Sequence, residues 1–210
     1  MEKKLSRLLD GENVKNIFLV RHPQVENYRE NVFNGRIDVG LSSEGLRQAE
    51  DLYRYFKDRV ETVFTSPLRR CRVVAEKFDT DVVIDDRLVE RSFGIFESLS
   101  WQQIEKRYPE EAEAFLKKPF HYKPPKGESF YDVERRIKDF VDDILRFEKD
   151  VLVISHGGVN RVIIKLLLGL TEDSLLRISQ DYACINHFQT DGNFILVKLI
   201  NGKVCLDRCI

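Results

Sequence analysis

Two short apolar runs, each ending in a histidine, constrain this chain more than any other feature. Ile17-Phe18-Leu19-Val20 leads into Arg21-His22-Pro23, and Val151-Leu152-Val153-Ile154 leads into Ser155-His156-Gly157-Gly158. Runs this short, rich in β-branched and aliphatic residues and bounded by polar residues, Gly or Pro, read as strands buried on both faces of an α/β sheet. Such sheets place their ligand crevice at the carboxyl ends of the strands. Two histidines at equivalent strand ends can therefore meet, although most of the chain separates them. The other two of the four histidines lack that context. His121, between Phe120 and Tyr122 in a Pro-rich stretch, is expected to be solvated or a packing residue. His187 falls in an alternating strand pattern and is expected to be structural.

The periodicity between these runs supplies the layers. A helix is expected over residues 43–58, capped by Ser42, with Leu46, Ala49, Leu52, Tyr53 and Phe56 on its apolar face. A strand over 61–65 follows. Ser66-Pro67 should then open a helix, with Ser as cap and Pro at the first helical position. A third strand covers 81–84, and Ser100 begins a capping box and a short helix. Pro119, Pro124 and Pro125 bar a continuous helix through 108–127. A long helix over 129–148, the second histidine strand and a helix over 159–168 come next. Two alternating runs, 183–189 and 194–199, are joined by Asp191-Gly192, a hairpin signal. This order predicts a three-layer α/β/α sandwich whose sheet is mostly parallel, with an antiparallel C-terminal addition at one side. Residues 1–210 are expected to form a single domain, with 97–128 inserted over the strand ends and covering the site.

Composition narrows the partners. The chain has 34 basic and 35 acidic residues in 210, a net charge of −1, which argues against nucleic acid. Its apolar stretches are too short for a membrane span, and Met1-Glu2-Lys3-Lys4 leads into no signal-peptide core, so a cytoplasmic location is expected. Cys71, Cys184, Cys205 and Cys209 form neither a CxxC pair nor a zinc spacing; they are expected to be reduced and mostly buried. A homodimer stays open.

Two further elements converge on the histidines. Thr65-Ser66-Pro67-Leu68-Arg69-Arg70-Cys71 lies at a strand end and helix start, where backbone N–H groups favour an anion. An arginine there can curl back to the crevice, although Arg69, Arg70 and Arg72 read equally as a solvated face. Glu90, just beyond the third strand, is a candidate acid. Two histidines, two arginines and a glutamate suit phosphoryl transfer. Guanidinium forks match phosphate oxygens, a neutral imidazole can attack phosphorus, and a carboxylic acid can protonate the leaving oxygen.

The ordered motifs resemble the histidine phosphatase superfamily, the group that holds cofactor-dependent phosphoglycerate mutases and broad small-molecule phosphatases. Arg21-His22-Pro23 is similar to the family's Arg-His-Gly. Gly35 to Asp38 and Leu41 to Ala49 match its Gly-rich and Leu-Ser stretches, and residues 66–70 match Ser-Pro-Leu-x-Arg, which selects Arg70. Residues 88–97 match Leu-x-Glu-x-x-Phe-Gly-x-x-Glu, which selects Glu90, and 156–161 match the second-histidine motif. The resemblance, from about residue 16 to 190, implies a phosphoglycerate mutase-like fold and a phosphomonoesterase working through a phosphohistidine on His22. It implies that Arg21, Arg70 and His156 hold the phosphate, with His156 preferably protonated, and that Glu90 protonates the leaving group and then activates water. Asn34 either adds an amide donor or is a plain turn residue. No metal and no cofactor are implied, and the only partner implied is a small phosphate ester.

Departures from the pattern are informative. Pro23 replaces a glycine, removing an N–H and fixing φ near −65°. Gln24 and Val25 replace the usual Glu and Ser/Thr, Ser98 replaces the glycine after Glu97, and Cys71 stands where Ala is usual. Two alternatives remain: a mutase, disfavoured because mutases of this type are longer, and a phosphate-binding pseudoenzyme blunted by Pro23. Substrate choice is expected to come from 97–128, whose Trp101, Phe115, Phe120 and Tyr122 read mainly as core. Its Lys117, Lys118, Lys123 and Lys126 read mainly as solvated, with some of either set at the entrance.

Overall fold

The first histidine run becomes the middle of the sheet in a computed structural model that describes residues 14–204. Strand β1 (Lys15–Arg21) lies between β4 (Val151–Ser155), parallel to it, and β5 (Ile185–Thr190), antiparallel to it. Strand β2 (Thr62–Thr65) runs parallel to both β4 and β3 (Asp81–Ile84), and β6 (Ile195–Gly202) is antiparallel to β5. The strand order is β3-β2-β4-β1-β5-β6. The antiparallel addition is the expected hairpin of two strands. Residues 191–194 join them, with Gly192 at φ +87°.

Register explains why the histidines meet. Arg21 pairs with Ser155 across β1 and β4, so His22 and His156 each stand one residue past adjacent parallel strands. The His22 N–H donates to the Ser155 carbonyl at 2.9 Å, which fixes the two chain exits side by side.

Helices cover both faces. On one, α1 (Ser43–Phe56) and α2 (Arg69–Ala75) bury Ala49, Leu52, Phe56 and Val74 against Phe18, Val20, Val63 and Leu152. Ser42 caps α1 as expected, its Oγ accepting from the Gly45 N–H at 3.0 Å. Leu46, expected on the apolar face, is 53% exposed, because the buried stripe runs through Gly45, Ala49, Leu52 and Phe56 and residue 46 lies about 100° round from it. On the other face, α5 (Phe130–Arg146) and α6 (Gly157–Leu168) pack Val133, Ile137, Phe140, Val159 and Ile163 on Ile17, Leu19, Val151 and Val153. Over the strand ends, α3 (Trp101–Arg107) and α4 (Pro109–Lys117) make a small separate cluster from Phe96, Leu99, Ile104 and Ala112.

One boundary differs in an instructive way. Helix α2 starts at Arg69, not at Ser66-Pro67, with Leu68 still extended. The Ser66 hydroxyl accepts from the Leu68 N–H at 3.3 Å but also meets His156, and Asp38 reaches in to accept the Arg69 N–H at 2.7 Å. The site has recruited the expected cap, and an aspartate from another loop replaces it.

His121 is exposed and pairs with Glu172 at 2.8 Å, the solvated residue expected, while His187 stacks on Phe18 at 4.4 Å and bonds Asn16 at 2.8 Å, structural as expected. Cys71 and Cys184 are buried free thiols, and Cys205, Cys209 and the amino-terminal residues lie outside the described residues. Among the described residues no helix is long and apolar enough to cross a membrane.

Candidate active site

A cleft of about 250 Å³ opens at the carboxyl end of β1 and β4, lined by Arg21, His22, Asn34, Arg70, Glu90 and Gly157 among others. Five of the six residues singled out from sequence thus line one cavity, and the sixth, His156, stands directly behind it. The His22 and His156 rings are 5.2 Å apart, centre to centre.

His22 is arranged as a nucleophile. It is 5% exposed, and its Nδ1 lies 2.8 Å from the carbonyl of Pro23. A carbonyl can only accept, so Nδ1 carries the proton and Nε2 keeps a free lone pair. Burial, with the nearby charges of Arg70 and Arg21, holds its pKa well below the usual histidine value. The departure at residue 23 therefore matters little here: the group used is the carbonyl, which proline retains.

His156 corrects one expectation. It is wholly buried, its Nδ1 accepts from Arg70 Nε at 3.2 Å, and its Nε2 lies 2.7 Å from Ser66 Oγ. A guanidinium can only donate, so Nδ1 is unprotonated and Nε2–H donates to the serine. Burial and the Arg70 and Arg21 charges keep it neutral, pushing its pKa well below the ordinary value. In this arrangement His156 is neutral and supports Arg70, where a protonated ring was expected.

Arg70 is 1% exposed, and its guanidinium is gripped by two loop carbonyls: Nη1 donates to Ile37 and Nη2 to Gly35, both at 2.7 Å. Arg70 is thus held inside, and the solvated-face reading fails for it. The loop is itself braced by Glu97, which accepts the Arg36 and Phe93 N–H groups at 3.2 and 3.1 Å. Gly35 has φ +50°, which favours glycine, and a Cβ there would stand 2.3 Å from Glu97 Oε1 and displace that carboxylate. Asn34 exchanges amide hydrogen bonds with Asn27 at 2.7 and 3.1 Å, which makes it a turn clamp on the cavity wall.

Arg21 lies against the ring of Tyr182, 4.1 Å from guanidinium carbon to ring centre, and donates through Nη1 to the Gln180 carbonyl. Its buried Nε has no partner. The segment carrying Tyr182 clamps the strand end: Ala183 N–H donates to the His22 carbonyl at 3.2 Å, and Arg21 N–H to the Cys184 carbonyl at 3.2 Å. Glu90 accepts the Arg91 N–H at 2.9 Å and the Gly158 N–H at 3.3 Å. A Cβ on Gly158 would stand 2.7 Å from Glu90 Oε1, so the glycine admits the carboxylate to the start of α6.

The walls differ from expectation. Of residues 97–128 only Phe115 lines the cleft, among the described residues. Trp101 packs on Phe115 at 5.6 Å, Phe120 joins the main core, and Tyr122 stacks on Phe96 at 6.0 Å. None of the four lysines reaches the cavity; Lys117 and Lys123 pair with Glu113 and Asp132. Residues not singled out as ligands from sequence complete the wall: Phe33, Phe93, Phe130, Leu176, Tyr182, Arg91 and Arg161. Arg91 and Arg161 fall inside matched motifs and could have been flagged by their charge beside the reacting groups. Leu176 and Tyr182 carry no local signal. Among the described residues no cluster of three or more His, Cys, Asp or Glu side chains could hold a metal ion.

A family model described as histidine phosphatase superfamily (branch 1) matches residues 17–203. A Hydrogenobacter thermophilus protein provisionally named phosphoserine phosphatase 2 is 30% identical over 201 residues, covering 93% of this chain and 98% of that one. A phosphoglycerate mutase of Schizosaccharomyces pombe is 28% identical, covering 89% of this chain and 96% of its own. Among solved structures, the α-ribazole phosphatase of Shigella flexneri has the same fold, with a TM-score of 0.82 at 23% identity, covering 89% of this chain and 96% of that one.

Proposed function

The chain belongs to the histidine phosphatase superfamily, and from that premise we propose that it hydrolyses small-molecule phosphate monoesters through a phosphohistidine on His22. The observation that carries the reading is the free Nε2 of a neutral, buried His22 facing a cleft lined by arginine. In the first step the Nε2 lone pair attacks phosphorus as the bond to the ester oxygen breaks. Glu90 gives that oxygen its proton. In the second step Glu90 takes a proton from water, the hydroxide attacks phosphorus, and the N–P bond breaks to release phosphate. General acid–base help of this kind is worth roughly 10²–10⁴-fold.

Arg21 and Arg70 are the proposed phosphate ligands, Arg21 through its unpartnered Nε. We assign His156 to the same group in two stages. In the free enzyme it holds Arg70; the arriving dianion then favours its protonated form and draws it into contact with a phosphate oxygen. The guanidinium groups supply the positive charge, so the proposed reaction needs no metal, and a chelator should leave turnover unchanged. A cytoplasmic site of action and a single domain with residues 97–128 as its cap belong to the same proposal.

The mutase reading keeps one observation in its favour. The alignment with the S. pombe mutase spans 203 residues and 96% of that protein, so length does not separate the two reactions here. An assay does. Incubation with p-nitrophenyl phosphate, and separately with 3-phosphoglycerate, should release inorganic phosphate. Interconversion of phosphoglycerates without net release identifies a mutase, and binding without either identifies a pseudoenzyme.

A further inference from the structure

We propose that Gln180 and Asn186, two buried amides outside the cleft, are positioning residues for Arg21. They fix the loop between them so that the guanidinium meets the phosphate in one pose. The inference deepens the phosphatase reading and rests on it. Neither side chain lines the cavity, so both act through the segment 180–186 that they enclose. That segment supplies the two groups on which the Arg21 guanidinium rests, the Gln180 carbonyl and the Tyr182 ring. The same ring stands 5.6 Å from that of His22, centre to centre.

The two amides close on each other. Gln180 is 3% exposed and Asn186 wholly buried. Gln180 Nε2 donates to Asn186 Oδ1 at 2.8 Å, and Asn186 Nδ2 donates back to Gln180 Oε1 at 2.9 Å. Backbone groups fix which way round Asn186 sits. Its Nδ2 also donates to the Leu19 carbonyl at 2.9 Å, and its Oδ1 accepts the Asn201 N–H at 3.0 Å. Leu19 lies on β1 two residues before Arg21, so the loop takes its bearing from the strand that delivers the arginine. Asn201 Oδ1 in turn accepts the Asp181 N–H at 2.7 Å, which closes a ring of contacts around the loop. The β5–β6 register shifts between Ile185 and His187, and a bulge of this kind re-aims the side chain within it. Buried amides are costly unless bonded, so two apolar side chains would serve as well if only packing were needed here.

The enclosed backbone gives an independent sign that it is held. Ala183 has φ +57°, a left-handed conformation that a residue with a Cβ rarely adopts. Such a conformation persists only where its surroundings over-determine it. Here it brings the Ala183 N–H to the His22 carbonyl and the Cys184 carbonyl to the Arg21 N–H, both at 3.2 Å. Arg21 Nε is left buried and unpartnered, beside Gly157 on the cleft wall. An arginine held in this way meets the phosphate without first losing its side-chain freedom.

The test is a double-mutant cycle on the full chain, assayed with p-nitrophenyl phosphate. Gln180→Met keeps the bulk but not the amide. It should lower kcat/KM roughly tenfold or more and weaken inhibition by inorganic phosphate in step. In an Arg21→Met background the same substitution should cost less than about twofold, because the group it positions is gone. Gln180→Asn, one methylene short of its partner, gives the same reading if Gln180→Met does not fold. A merely structural pair would lower Tm and leave kcat/KM of the folded protein unchanged, which overturns the proposal. An equal loss with and without Arg21 overturns it too. If the wild type hydrolyses nothing, calorimetry with inorganic phosphate reads the same cycle, and a non-additive result supports the positioning role while the phosphatase reading fails alone. Absence of phosphate binding in the wild type removes the role of Arg21 and the proposal with it.

Discussion

At residue 23 the chain breaks its family's glycine rule, and the structure retains the backbone group that His22 uses there. The Pro23 carbonyl, present in any residue, sets the His22 tautomer. Pro23→Gly should therefore change kcat/KM for p-nitrophenyl phosphate by less than about threefold; a gain from inertness to full activity would make the wild type a pseudoenzyme. Ser98 is the costlier departure. It replaces a glycine and sits at φ +64°, a left-handed conformation that costs a non-glycine residue about 1 kcal/mol or more. Ser98→Gly should raise Tm by several degrees in calorimetry, without loss of activity; a lowered Tm would contradict the strain argument. Glu90 separates leaving groups. Glu90→Gln should cut kcat by about 10²-fold or more on an alkyl phosphate but far less on p-nitrophenyl phosphate, whose leaving group departs without a proton. Equal losses on both would remove Glu90 from the acid role. His22, Arg70 and Glu90 were legible in sequence because each follows a strand or opens a helix within a motif. His156 was legible in place but not in state, since its burial and its contact with Arg70 depend on residues far along the chain.

At the scale of elements, sequence periodicity found the strands and helices that carry the reacting groups, and missed where contacts between elements override local rules. Ser66 reads as a helix cap and is instead taken up by His156, with Asp38 supplying the first turn of α2. The walls of the cleft were legible only in part, for the same reason. The aromatic residues of 97–128 pack mainly as core, as read, with Phe115 on the cleft, but Tyr182 comes from the other end of the chain through the clamp at Ala183 and Cys184. Another such contact stabilises α5. Lys15, on β1 and 7% exposed, donates through Nζ to the carbonyls of Ile144 and Leu145 at 2.7 and 2.8 Å and to that of Phe147, which satisfies the open end of the helix. Lys15→Met keeps the apolar stem but strands those carbonyls, and should destabilise the fold by about 1–3 kcal/mol in denaturant unfolding. No change in the unfolding midpoint would show that water replaces the lysine at no cost.

For the whole molecule, the site sets a pH limit on stability. Burial and neighbouring charge hold His22 and His156 neutral in the fold, and burial lowers His187 as well. The unfolded chain protonates these histidines near pH 6.5, while the fold refuses the protons. Stability is then fully present above about pH 6.5 and falls as the pH drops below it, by up to about 1.4 kcal/mol per pH unit for each of His22 and His156. Tm should be level from pH 8 to 7 and decline from 6.5 to 5.5; a flat profile to pH 5.5 would contradict the buried, neutral assignment. The same burial that destabilises the protein in acid keeps the His22 lone pair available there, linking stability to chemistry. The central claim is that this lone pair takes the phosphoryl group. Rapid acid-free quenching during turnover of a ³²P-labelled phosphate ester, followed by peptide mapping, should place an acid-labile label on His22 and none on His22→Ala. Label on His156, or turnover that persists in His22→Ala, would contradict the account.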